Sequence, residues 1–106
     1  MNIHAYVVDH VDAPFRREEL TVDESVPLEL AGPLACGITT GAGAVLNTAN
    51  PGPGESVVVY GVGAVGLGAI MAARNSAAAT IIAVDLHDSR LELAQRYGAT
   101  HVINSG

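Results

Sequence analysis

The sequence contains no tryptophan, one phenylalanine, three tyrosines and one cysteine. With so few aromatics, a core must be built from Val, Ile, Leu and abundant Ala, which suits close-packed helices and buried parallel strands. A single cysteine excludes an internal disulfide and is compatible with a reducing cytoplasm. Basic residues are also scarce. Five Lys plus Arg against eleven Asp plus Glu leave a net charge of −6. That balance argues against nucleic acid or an anionic membrane as the main partner. No basic region leads into an apolar one at the N-terminus, so no secretion leader is expected.

What is present is mostly apolar. Hydrophobic residues make up 49% and charged residues 15% of 106, the profile of one globular domain able to bury a core. Ser56 to Ala73 is an uncharged run of 18 residues, long enough to raise a membrane span. Four glycines interrupt it and its first half is β-branched, so we read strand, turn and buried helix instead.

Along the chain, Ile3 to Val8 and Phe15 to Val22 read as a hairpin around the turn residues Asp12-Ala13-Pro14, with Arg16, Arg17, Glu18 and Glu19 solvated. Ser25 to Gly32 reads as a short helix with Pro27 at its start and Glu29 favourable to its dipole. Cys36 to Asn50 reads as a second helix, weakened by Gly37, Gly41 and Gly43, which suit a close approach by another backbone or a ligand. Asn50-Pro51-Gly52-Pro53-Gly54 is a firm break. Val57 to Tyr60 is then a strand, Ala64 to Asn75 a helix, and Thr80 to Val84 a strand ending in Asp85. Ser89-Arg90-Leu91-Glu92 reads as a capping box opening a helix to Tyr97, stopped by Gly98, and His101 to Asn104 as a third strand. The expected fold is α/β: a βαβαβ parallel half of a Rossmann sheet behind a short N-terminal β-hairpin.

Gly61, Gly63 and Gly66 form a G-x-G-x-x-G between the first of these strands and its helix. Gly61 permits a sharp turn, Gly63 lets a pyrophosphate approach the backbone, and Gly66 lets helix and strand pack tightly. Free N–H groups at the helix start then offer donors and partial positive charge to phosphate. Asp85, nineteen residues past Gly66, can accept hydrogen bonds from both hydroxyls of an adenosine ribose. It would repel a 2′-phosphate, which favours NAD over NADP. The plainer alternative is a tight strand-to-helix turn with a strand-end aspartate capping the next loop. A methyltransferase can show a similar loop and acid, though the third glycine and the unbroken apolar helix fit it less well.

Four segments, G-P-L-A-C-G-I-T-T-G-A-G-A-V-L-N (32–47), V-V-V-Y-G-V-G-A-V-G (57–66), I-I-A-V-D (81–85) and L-A-Q-R-Y-G-A-T-H-V-I-N (93–104), together resemble the zinc-dependent medium-chain alcohol dehydrogenases, and aryl- (benzyl-) alcohol dehydrogenases in particular. The opening M-N-I-H-A-Y-V-V and A-P-F-R-R-E-E-L resemble that family's first hairpin. The resemblance implies oxidation of primary, aromatic alcohols to aldehydes with NAD and zinc. It places Cys36 at a catalytic zinc ligand and Thr40 against the nicotinamide. The loop Gly61, Val62, Gly63, Ala64, Val65, Gly66 falls on the pyrophosphate, with Asp85 and Arg90 at the ribose. It further implies a remnant of the GroES-like catalytic domain over 1–22 and the first half of the NAD-binding domain over 23–106.

Leu20 to Ser25 joins directly two parts that the family separates by a long stretch carrying further zinc ligands and a proton-relay hydroxyl. An internal deletion and a C-terminal truncation are therefore expected. None of His4, His10, His87 and His101 has a ligand spacing with Cys36. The expected chain binds a dinucleotide, retains no zinc and turns over no alcohol alone. It is a homo-oligomer or associates through an exposed sheet edge. A non-catalytic nucleotide-binding or assembly module is the alternative.

Overall fold

The computed structural model describes residues 2–7, 11–21 and 23–106. Two compact units are present, Met1–Ala31 and Gly32–Gly106. In the first, β1 (Asn2–Val7) pairs antiparallel with β2 (Arg16–Thr21), Asn2 opposite Thr21 and Val7 opposite Arg16. Every residue of β2 is exposed, as its charged sequence requires. His4 Nε2 faces Glu19 Oε2 across the ladder at 3.8 Å. Val8, His10 and Val22, which the hairpin reading included, lie outside the described residues.

Between the hairpin and the second sheet, the two expected helices are one. α1 (Leu28–Pro33) passes into a π-helical stretch, Leu34–Ile38, then α2 (Thr39–Gly43), then a second π-helical stretch, Ala44–Ala49. Pro33 does not end the helix, because its backbone (φ −57°, ψ −37°) is already helical, and the wider π turn follows directly after it. The chain does stop at Asn50, which adopts the left-handed conformation (φ 43°), an accepted terminator for asparagine. By length and composition, Glu29–Ala49 is the described helix able to cross a membrane. The 18-residue run expected to be strand, turn and helix is just that, β3 (Ser56–Tyr60) followed by α3 (Ala64–Asn75).

The sheet of the second unit is parallel, in the order β3-β4-β5, with β4 (Thr80–Asp85) in the centre and β5 (His101–Asn104) on its far side. Position in the sheet explains composition. β4 is covered on both sides and buries Ile81, Ala83 and Val84, whereas β3 leaves Val58 and Tyr60 exposed. α3 returns the chain from β3 to β4, and α4 (Asp88–Tyr97) from β4 to β5. The core joins Val45, Val62, Ile70, Ala72, Ala73, Ile81, Ala83, Leu91 and Ala94, an assembly of small side chains consistent with the missing aromatics.

α4 corrects one expectation. It begins at Asp88 with His87 in the flanking extended position, and no side chain caps it, so Ser89 opens no capping box. Ser89 already lies inside the first turn. The acid at the helix start is Asp88, whose Oδ1 accepts a bond from Asn104 Nδ2 at 2.7 Å. Gly98 stops the helix with φ +133°, as read from sequence.

Candidate functional site

The carboxyl ends of β3 and β4 lie side by side because their parallel register sets Tyr60 opposite Val84. From there the chain turns at Gly61, whose φ of +82° is costly for a residue with a Cβ. Gly61 N–H is held by the Val84 carbonyl at 2.8 Å. Val62 then points inward with no exposed surface, Gly63 flanks the helix, and α3 starts at Ala64. The first N–H groups of a helix have no partner within it, so the turn presents donors at an open rim.

The three glycines do different things. A Cβ on Gly66 would fall onto the Gly61 carbonyl oxygen, whereas one on Gly63 would meet nothing within 4 Å. Gly66 is therefore demanded by packing. Packing makes no demand for glycine at 63, and the space around it is open.

Asp85, at the end of β4, is 7% exposed. Its Oδ2 accepts the Val62 N–H at 2.8 Å and its Oδ1 the His87 N–H at 3.0 Å. Arg90 Nη1 is 3.9 Å from the same Oδ2, on a side chain that is 53% exposed. The Val62 bond holds the carboxyl below the ordinary carboxylate pKa. Burial opposes that shift, and the His87 and Leu86 N–H groups and the Arg90 charge reinforce it. The group is ionised at neutral pH. The aspartate thus braces the adjoining loops, as the plainer alternative from the sequence has it, and it stands beside the glycine turn.

The helix before β3 reaches the same rim. A Cβ on Gly37 would lie 3.1 Å from the Ala64 Cβ, one on Gly41 would fall onto the Val65 carbonyl oxygen, and one on Gly68 would come 2.7 Å from the Ile38 carbonyl oxygen. The two backbones nearly touch. Gly37 and Gly41 thus serve the close approach expected of them, but Gly43 does not, having only the Asn47 side chain near it. Cys36 and Thr40 ride on this helix beside the first turn of α3, both exposed. The structure therefore packs the helix that carries Cys36 and Thr40 against the start of α3, and sets Asp85, with Arg90 beside it, against the Gly61–Gly66 turn.

It does not assemble a metal centre. Among the described residues no three His, Cys, Asp or Glu side chains come together, and a catalytic zinc needs three protein ligands and an open position. Cys36 alone does not fit that ion. Sequence reasoning also missed the Asp85–Val62 bond. Its signal was the register, which sets Asp85, one step past Val84, level with Gly61 and next to Val62.

A glycine turn between strand and helix, with an acid at the next strand's end, defines a partial Rossmann-type fold. The sequence profile described as zinc-binding dehydrogenase matches residues 64–106. An alcohol dehydrogenase of Malus domestica is 49% identical over 83 residues, covering 78% of this chain and 22% of that protein. An S-(hydroxymethyl)glutathione dehydrogenase of Escherichia coli O1:K1 / APEC is 54% identical over 71 residues, 67% of this chain and 19% of that one. The crystal structure of benzyl alcohol dehydrogenase from Acinetobacter calcoaceticus superposes with a TM-score of 0.73 at 56% identity, over 82% of this chain and 24% of that one. An alcohol dehydrogenase zinc-binding domain protein from Burkholderia ambifaria gives the same figures. The chain belongs to the zinc-dependent alcohol dehydrogenase family. It spans about a fifth of the length of the curated relatives it matches.

Proposed function

We propose that this chain is the nucleotide-binding portion of an NAD-dependent alcohol dehydrogenase, gripping the pyrophosphate at Gly61, Val62, Gly63, Ala64, Val65 and Gly66 and the adenosine ribose through Asp85 and Arg90. The observation that carries the reading is the open space above Gly63 at the start of α3, next to an ionised Asp85. Phosphate oxygens can take the unpaired N–H groups of the first turn. The ribose hydroxyls can donate to the carboxylate lone pairs that Val62 and His87 leave free. A 2′-phosphate there meets the Asp85 charge, so NAD is favoured over NADP.

Thr40, exposed beside this rim, is assigned to the nicotinamide side and Cys36 to a former zinc position. NAD, when bound, supplies the hydride acceptor. With one thiolate the described donor set does not activate an alcohol, and the chain alone is proposed to be inactive. An aromatic alcohol is the substrate class of the whole enzyme, an assignment supported by the likeness to benzyl alcohol dehydrogenase. The loop assignment is tested by titrating NADH into wild type and Gly63→Val. The valine is expected to leave the fold intact and abolish binding, and equal affinity in the two would remove the case for the loop. Metal analysis beside an NADH absorbance assay with benzyl alcohol tests the inactivity. Near-stoichiometric zinc lost in Cys36→Ser, together with turnover, would overturn it.

A further inference from the structure

We infer that Asp85 is also a positioning residue: its carboxylate holds the glycine turn in its phosphate-ready shape before any ligand arrives. The inference rests on the cofactor reading above but concerns a different partner of the same side chain. Val62 has no exposed surface, and Asp85 Oδ2, at 2.8 Å, is the partner its N–H has. Without that acceptor, a buried donor is left unpaired, and the inexpensive remedy is for the turn to rotate the N–H toward water. Such a rotation displaces Gly61 and Gly63 on either side. Two further ties fix the residue, one at its carboxylate and one at its backbone. Oδ1 takes the His87 N–H at 3.0 Å, at the start of α4, and the Asp85 carbonyl takes the Ser105 N–H at 3.0 Å, past the end of β5. One residue thus connects the turn before α3, the turn before α4 and the strand β5.

The two roles of Asp85 predict opposite responses to a ligand without ribose hydroxyls. If Asp85 only binds the ribose, its removal leaves 2′,3′-dideoxy-ADP unaffected or, through loss of a negative charge, bound more tightly. If it braces the turn, its removal weakens that ligand as well. The experiment is titration of ADP and 2′,3′-dideoxy-ADP into wild type, Asp85→Asn and Asp85→Ala, with amide hydrogen exchange at Val62 compared with that at Ile81 and Ala83 in β4. In Asp85→Ala the expected results are a loss of about tenfold or more in affinity for both ligands and Val62 exchange faster by a similar factor. Ile81 and Ala83 stay protected, which shows that the variant is folded. Asp85→Asn keeps one acceptor oxygen and is expected to restore most of the dideoxy-ADP affinity. Undiminished dideoxy-ADP binding in Asp85→Ala, or unchanged Val62 exchange, would overturn the inference. Failure of wild type to bind either ligand would instead remove the cofactor reading, and Val62 exchange would still decide the brace.

Discussion

At the scale of single residues, Asp85 carries a pH dependence whose sign follows from its surroundings. Val62 N–H and the lesser donors around it hold the folded-state pKa below the unfolded value, which is about 4 for an aspartate. The folded protein therefore binds fewer protons in that range than the unfolded chain. The stabilisation is complete above about pH 4 and is lost as the pH falls through the folded-state value. Urea midpoints of wild type and Asp85→Asn are expected to differ at pH 6 and to converge as the pH is lowered toward 3. A gap that does not change with pH would contradict this. Gly66 makes a second residue-level case. A methyl group there falls on the Gly61 carbonyl, so Gly66→Ala is expected to cost about 3 kcal/mol, at the upper end for overpacking. Gly63→Ala, with open space around it, is expected to stay within about 0.5 kcal/mol of wild type, both measured by chemical denaturation.

At the scale of elements, the contact between the helix of Gly37 and Gly41 and α3 sets the rim of the site. Gly41→Val should drive the two helices apart, since its side chain would enter the Val65 backbone. The expected result is a lower melting temperature together with weaker nucleotide binding; a variant as stable as wild type would show that the helices do not touch there. Most of these elements were legible in the sequence, for identifiable reasons. β4 is a nearly continuous apolar run because it is the central strand and buries Ile81, Ala83 and Val84, and Gly98 ends α4 because its φ is positive. The continuous helix through Pro33 was not legible. A proline reads as a boundary, and nothing local announces that a π turn will follow it. The capping box failed because α4 starts one residue before Ser89, with His87 as the flanking residue and no side chain capping it. At the site, the turn and the acid were legible from spacing, but the bond between them was not, because it depends on strand register.

At the scale of the whole molecule, the three-stranded sheet ends at β3, whose outer edge has no partner strand among the described residues. Tyr60 is 80% and Val58 47% exposed, and Leu30, Leu34 and Leu46 lie exposed along the helix that precedes it. Unpaired strand edges and uncovered apolar faces promote association. Light scattering is expected to show a dimer or larger species growing with concentration, and a monomer at high concentration would contradict this. We propose above all that the turn and its acid hold the adenosine half of NAD. Calorimetry at low ionic strength with NADH, ADP-ribose and NADPH tests it most directly. Similar weak affinities are expected for NADH and ADP-ribose, because the proposed contacts lie on the adenosine side, and weaker binding is expected for NADPH. Equal affinity for NADPH, or no binding of any of the three, would contradict it.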